Sequence, residues 1–570
     1  MERAARPAKP RVARRVVSSA ADQARTPTPP WPLPHPAGRR TACAIPLALL
    51  ATTVAGFLLR LYRIDVASFW SDEVFSIIWL RSDLALLWGD GLEIETTPPL
   101  YYTLLKGWAA IFGSDETGAR SLSALLSAAT IPLVFLLGRE LAGSRAGFLA
   151  AILFALTPVQ IHYAQEARAY ALLILVSCAS MLALVRLLRV AEPGRPPAGA
   201  LIFYASCATM LVYTHTVAPF ILAALGLAYL YCLATMGAWR TALPRFLVAN
   251  AVVGAVAIPQ IRAMLAQAGR TDVGWIEPPS LFGLIIITDV LLVDPFTPQV
   301  TFRGACLLAA LVGVALLLLL PRLRAGHRAL AFLALAPAAF FALAIPVSLK
   351  FPFLIPRVVT WLSVPLCILL AILLVAPGAR ARRIALALSL AAAWGVGLHG
   401  VYTRTAVFKE DWRGLSASLA MHAAPSDILV VGPRTIPTGI ALYADPLRAT
   451  RRWQPDGTPE QRTFYLPDDV PVPKPLPTAE LAQEVRSGQR VWLVMNRNDW
   501  QAHGQEALAA VPGTPPVVDE RYAMLTLLAW VPDPAARGEA APSSASVQDS
   551  PIRRRPRRLT LRLLPATSAG

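Results

Sequence analysis

The chain has 570 residues, 55% hydrophobic and only 15% charged, with a positive mean hydropathy. That is a membrane-protein profile, because its repeated apolar stretches match a hydrocarbon core roughly 30 Å thick. The net charge of +18 does not imply a nucleic-acid partner: the Arg residues lie in short loops between apolar runs and in two tails, not in a basic groove.

Residues 1–42 are rich in Arg, Pro and Ala without apolar periodicity and read as a disordered basic cytoplasmic arm. The run Cys43–Leu61 follows. Arg60, Tyr62 and Arg63 stand where a signal-peptide cleavage site would need small residues, so the run reads as an uncleaved anchor. Further apolar runs lie at 121–141, 146–161, 169–188, 200–213, 217–235, 246–264, 306–320, 329–347, 358–376 and 384–401. The expected fold is an all-α polytopic membrane protein of about eleven transmembrane helices. Connected alternately, the runs put Arg139/Arg145, Arg186/Arg189/Arg195, Arg240/Arg245, Arg322/Arg324/Arg328 and Arg380/Arg382/Arg383 on the N-terminal side. By the positive-inside rule that side is cytoplasmic.

The segment Leu100–Phe112 is aromatic and apolar but short, and counting it as a span would reverse every later loop. It reads as a helix lying in the outer interface, and Leu281–Leu292 reads similarly. The transmembrane domain is thus assigned to residues 43–401. From 402 to 535 the chain is Pro-rich with mixed charge. Apolar runs at Ile428–Val431, Val491–Met495 and Met524–Trp530, with a helix-like Glu480–Arg486, predict a small extracytoplasmic α/β domain. Residues 536–570 read as a disordered basic tail.

The six cysteines, Cys43, Cys178, Cys207, Cys232, Cys306 and Cys367, lie in or beside apolar runs without CxxC or Cys/His spacing. They support neither a zinc site nor a disulfide framework.

This topology gathers the unusual polar residues at the extracytoplasmic face. Asp72 and Glu73 follow the first span, Glu166 and Arg168 lie in the next outer loop with Tyr170, and His215, Lys350 and Arg357 fall at later outer ends. A lipid phosphate at headgroup depth needs cations, and Arg binds it bidentately. An acceptor hydroxyl needs a carboxylate to take its proton. Asp72 and Glu73 would sit about 100° apart on a helix, so one is expected to act as base and the other to cap or pair with an Arg. Asp72 is assigned as the base. Glu166 and Arg168 equally suit a pair, with each other or with Arg120, that holds two helices together. His215 suits an interfacial hydrogen bond better than acid/base chemistry, and Arg357 suits a snorkelling contact, although an outer Arg runs against the charge bias and so favours a functional role.

Together these segments resemble the GT-C integral-membrane glycosyltransferases, and within them glycosyltransferase family 39, the protein O-mannosyltransferase and aminoarabinose-transferase relatives. The resemblance rests on Trp70-Ser71-Asp72-Glu73, Thr97-Pro98-Pro99-Leu100-Tyr101-Tyr102 with Trp108 and Phe112-Gly113, and Glu116 with Arg120. It continues through Tyr163-Ala164-Gln165-Glu166-Ala167-Arg168-Ala169-Tyr170 and Tyr213-Thr214-His215. It implies inverting transfer from a polyprenyl-phosphate-sugar donor to an extracytoplasmic acceptor (lipid, glycan or protein) at the cell membrane. Asp72, Glu73 and Glu166 become catalytic candidates. Arg168, Tyr170, His215, Lys350, Arg357 and Tyr102 become substrate-binding candidates. Relatives often carry Arg-Tyr where this chain has Arg357-Val358.

The three acids have the oxygen chemistry of a Mg²⁺ or Mn²⁺ site. Arg and Lys neutralise a lipid phosphate directly, however, so no cofactor and no obligatory metal are expected. The alternative function is a lipid-linked sugar transporter or flippase. It would place polar groups near mid-bilayer on broken helices, whereas these spans hold almost no ionisable residues at their centres.

Overall fold

The computed structural model describes residues 41–189, 198–267, 276–293, 295, 328–375, 380–433, 435, 438–443, 449–454, 474–486 and 489–530. The expected span at 306–320, most of the N-terminal arm and the tail 536–570 lie outside them.

The first nine helices are α1 (Thr41–Leu61), α2 (Ser71–Arg81), α3 (Leu84–Trp88), α4 (Gly91–Ile94), α5 (Leu100–Phe112), α6 (Glu116–Ala142), α7 (Ser144–Leu156), α8 (Pro158–Ala164) and α9 (Tyr170–Arg189). Helices Ala198–Val212, Ala218–Met236, Trp239–Val256, Ile258–Gln267, Leu281–Leu292, Arg328–Lys350, Ser363–Val375 and Arg380–Phe408 follow. Each expected apolar run within the described residues is helical. Six helical segments there have the length and apolar composition to cross a membrane, and counting α7–α8 and Ala242–Gln267 as bent spans raises the number to eight. Runs 43–61 and 200–213 form shorter apolar helices. The chain is a multi-pass membrane protein.

The bend of 56° between α7 and α8 has a local cause. Pro158 carries no N–H and its ring clashes with the carbonyl four residues back, which interrupts the ladder. Arg60 answers the interruption: its guanidinium donates to Phe154 O (3.4 Å), Ala155 O (3.1 Å), Gly56 O (2.8 Å) and Ser127 Oγ (2.8 Å), fully buried. One side chain thereby ties α1, α6 and α7 together. Nearby, α6 and α7 touch backbone to backbone, since a Cβ on Gly147 would lie 2.5 Å from Phe135 O. Only glycine allows that approach.

Helix Arg380–Phe408 runs seven residues past the expected end of the transmembrane domain at 401, because Tyr402–Phe408 continue its turns. Beyond it lies a six-stranded sheet, β1 (Ile428–Val431), β2 (Ala449–Gln454), β3 (Lys474–Pro477), β4 (Val491–Asn496), β5 (Val518–Tyr522) and β6 (Leu525–Trp530), in the order β3-β2-β1-β4-β6-β5. The first four are parallel, and β6 and β5 close one side antiparallel. Strands β1 and β6 are buried throughout and β4 as far as Met495, hence their nearly continuous apolar sequences. The edge strands β3, with Pro475 and Pro477, and β5, with Asp519, Glu520 and Arg521, carry no such signal.

This domain docks on the loop between α1 and α2. Ser68 Oγ donates to Glu410 O at 2.7 Å, Phe69 N donates to Tyr443 Oη at 2.9 Å, and Arg413 pairs with Glu116 at 2.8 Å. The sheet and the Asp72 end of the bundle therefore share one side. Arg189 and Glu140, paired at 2.7 Å, mark the opposite ends of α9 and α6.

Candidate active site

The acidic pair opens α2, whose first turn contains both Asp72 and Glu73. Their environments differ. Glu73 is fully buried, and its oxygens take Arg120 Nε (2.7 Å), Arg120 Nη2 (2.6 Å) and Ala167 N (2.8 Å), with Lys409 Nζ at 3.4 Å. Burial pushes the Glu73 carboxyl upward, but the charges of Arg120 and Lys409 and the donated hydrogen bonds outweigh it and hold it at about 2. Both oxygens have donors, so Glu73 is an anion near pH 7 and knits three segments. It has no free oxygen for an acceptor proton, which argues for Asp72 over Glu73 as base.

The Asp72 side chain is one-quarter exposed and faces outward to Arg357, with Nη1 2.6 Å from Oδ2. Arg357 sits on a 3₁₀ segment, Pro356–Leu362, between two apolar helices, with its guanidinium 5.9 Å from the Trp70 ring centroid. Arg168 joins from the α8–α9 loop: Nη1 donates to Asp72 O and Tyr102 Oη, each at 3.1 Å, and Nη2 to Thr97 Oγ1 at 3.2 Å. An outward carboxylate and two guanidiniums thus converge from three distant parts of the sequence.

Glu166 lies deeper, 2% exposed. It pairs with neither Arg168 nor Arg120, but faces Lys409 Nζ (3.4 Å) and His162 Nε2 (3.5 Å) through Oε1, while its buried Oε2 accepts no hydrogen bond among the described residues. Its carboxyl is pushed above the ordinary value: desolvation is the largest cause, Lys409 opposes it, and the negative charges of Glu73 and Asp72 add to the rise.

Tyr170 and His215 form a ring edge beside this cluster, centroids 5.9 Å apart, and Tyr163 stacks edgewise on Tyr170 at 5.2 Å. His215 Nδ1 accepts from Val217 N at 3.2 Å. Burial, with the charges of Arg168 and Arg357, pushes the His215 ring down to about 3, so it is neutral near pH 7 and acts as an aromatic and hydrogen-bonding wall. Lys350 is not brought in: it remains exposed, its ammonium 5.4 Å from the Phe351 ring, with no ion pair to Asp72, Glu73 or Glu166 among the described residues. Helix geometry explains this, since Lys350 ends its helix on the outer rim while Arg357 begins the next segment facing inward. Among the described residues no three His, Cys, Asp or Glu side chains assemble as a metal-ligand set.

Sequence reasoning missed Lys409 and Glu410 as site residues. Glu410 Oε2 accepts from Ser71 N (2.9 Å), Trp412 Nε1 (2.9 Å) and Ser71 Oγ, placing a carboxylate at the N-terminus of α2. The available signal was a charged run, Lys409-Glu410-Asp411, directly after an apolar span, the pattern that drew attention to Asp72-Glu73.

Residues 96–261 match the model of the dolichyl-phosphate-mannose-protein mannosyltransferase family. Among solved structures, apo ArnT from Cupriavidus metallidurans superposes with a TM-score of 0.56 over 88% of this chain and 100% of its own, at 12% identity. The chain has the GT-C glycosyltransferase fold. ArnT from the same organism bound to undecaprenyl phosphate gives 0.51 at 13% identity, over 86% of this chain and 98% of that one. The apo oligosaccharyltransferase of Archaeoglobus fulgidus gives 0.50 at 12% identity, over 83% of this chain and 72% of that one. No curated protein matches the sequence. Within the GT-C fold, the family match covers α5 to α9 and the helices as far as Ile258–Gln267, which includes Tyr102, Arg120, Glu166, Arg168 and His215.

Proposed function

We propose that this protein transfers a sugar from a polyprenyl-phosphate-sugar donor to an extracytoplasmic acceptor by inverting displacement, at the cell membrane. The observation carrying this reading is the half-open Asp72–Arg357 pair, 2.6 Å apart, with Arg168 alongside at one end of an apolar bundle. Asp72 takes the acceptor hydroxyl proton as the new C–O bond forms at the anomeric carbon. The C–O bond to phosphate breaks, and its electron pair leaves with the polyprenyl phosphate. Arg357 and Arg168 hold that phosphate bidentately and stabilise the charge it gains. Phosphate is a good leaving group, so no general acid is needed. The two guanidiniums bring the positive charge that a divalent ion would otherwise contribute, and turnover needs no metal.

Tyr102 and Thr97 orient Arg168, and Tyr170 with His215 walls the sugar. The Arg-rich loops at the far end support an extracytoplasmic site. That ArnT of Cupriavidus metallidurans, which shares the fold, binds undecaprenyl phosphate supports a polyprenyl phosphate as part of the donor.

The test compares membranes with and without the protein for consumption of polyprenyl-phosphate-sugar, together with Asp72→Asn. The variant is expected to fold and to lose turnover by about 10²–10⁴-fold. Wild-type turnover in Asp72→Asn would remove the base assignment. No donor consumption by the wild type with any acceptor would return the transporter reading.

A further inference from the structure

Lys409 is the first residue beyond helix Arg380–Phe408, and its side chain is only 6% exposed. Its Nζ lies 3.4 Å from Glu73 Oε2 and 3.4 Å from Glu166 Oε1, and 3.5 Å from Gln165 O. It is the one ammonium, among the described residues, placed between the two buried carboxylates. Its neighbour Glu410 caps α2 and forms a backbone bridge with Ala523 in the β5–β6 turn. The backbone that seats the sheet domain is therefore the backbone that inserts the ammonium. We infer that Lys409 is a positioning residue: it keeps Glu166 ionised beside Glu73 and couples the seating of the C-terminal domain to the charge of the active site.

The charges around the two acids leave Lys409 little competition. Glu73 has Arg120 as a two-pronged partner and stays an anion without Lys409. Glu166 has no such partner. From α2 it meets the negative charges of Asp72 and Glu73, and from the 3₁₀ segment the more distant Arg357, already bonded to Asp72. The other ionisable groups facing it are His162 and Tyr163 of α8, Tyr170 of α9 and Tyr101 of α5. Removing the ammonium leaves one buried carboxylate beside two others, and such a group neutralises by taking up a proton. A protonated Glu166 no longer orients a substrate hydroxyl as an anion does, although the donor phosphate still has Arg357 and Arg168.

The catalytic arm of the test rests on the proposed transferase reading; a spectroscopic arm does not. In difference infrared spectra of purified protein near pH 7, Lys409→Met is expected to show the carbonyl stretch of a protonated carboxylic acid. Wild type, Lys409→Arg and Lys409→Met/Glu166→Gln are expected to lack it. In kinetics, Lys409→Met loses on the order of ten-fold in kcat with little change in donor KM, and Lys409→Arg retains most of the rate. If Lys409→Met alone does not fold, the double variant, which removes both buried charges, is expected to recover folded protein. A band already present in wild type, no band in Lys409→Met, a band that survives Glu166→Gln, or equal misfolding of the single and double variants would overturn the inference. Absence of donor consumption by wild type would defeat the transferase reading and leave the infrared result standing.

Discussion

Glu73 and Arg120, 47 residues apart, are joined by two parallel charge-assisted hydrogen bonds of 2.6 and 2.7 Å in a site closed to solvent. The remaining Arg120 donors go to Ile64 O (2.8 Å), Ala67 O (2.7 Å) and Ser68 O (2.9 Å). The loop between α1 and α2 is thus wrapped around one guanidinium, and that wrapping delivers Asp72 to the surface with its carboxylate outward.

Acid should weaken this arrangement in a defined window. Glu73 has a folded value of about 2, below the ordinary carboxylate value of about 4.3. Its contribution is complete above the unfolded value and is lost as pH falls from about 4 through about 2. Glu73→Gln leaves Arg120 buried and underpaired, at a cost on the order of 3–5 kcal/mol. Thermal unfolding in detergent is expected to show a lower midpoint for Glu73→Gln, with a shallower further decline over that acid window than in wild type. Identical acid profiles would show that the pair does not carry the stability assigned to it.

Arg357 contributes through both charge and shape. Lys cannot reproduce the fork of a guanidinium, so Arg357→Lys should raise donor KM clearly and Arg357→Gln more, by about ten-fold or above. Chelation by EDTA should leave wild-type turnover intact if, as proposed, Arg357 and Arg168 neutralise the phosphate. Loss of turnover on chelation, restored by one divalent ion, would mean that the arginines alone do not suffice.

Arg60 predicts a stability effect independent of chemistry. Replacing it with Leu removes the donors that Arg60 gives to Phe154 O and Ala155 O at the Pro158 break, each costing about 1–3 kcal/mol when left buried without a donor. The expected readout is a lower midpoint or poor recovery of Arg60→Leu from membranes, with turnover per folded molecule nearly unchanged because Arg60 touches neither Asp72 nor Arg357. A fully stable Arg60→Leu would show that water or other donors replace it.

The helical spans among the described residues, the short helix α5 and three strands of the sheet were legible in the sequence, because apolar periodicity and length report which segments must leave water. The edge strands β3 and β5 and the inner strand β2 were not, because Pro475 and Pro477, Asp519 to Arg521, and Arg451 and Arg452 leave no apolar run to announce them. The same local logic marked Asp72 and Glu73 as unusual and put Glu166, Arg168 and Arg357 at the same end. It could not divide their roles. Which acid is sealed by Arg120, which meets Arg357 from 285 residues away, and that Lys409 enters between Glu73 and Glu166 depend on contacts between segments far apart in the chain. Burial decides the state of a carboxylate through the donors and charges around it, and only the tertiary packing of α2, α6, the α8–α9 loop and the start of the C-terminal domain sets those neighbours.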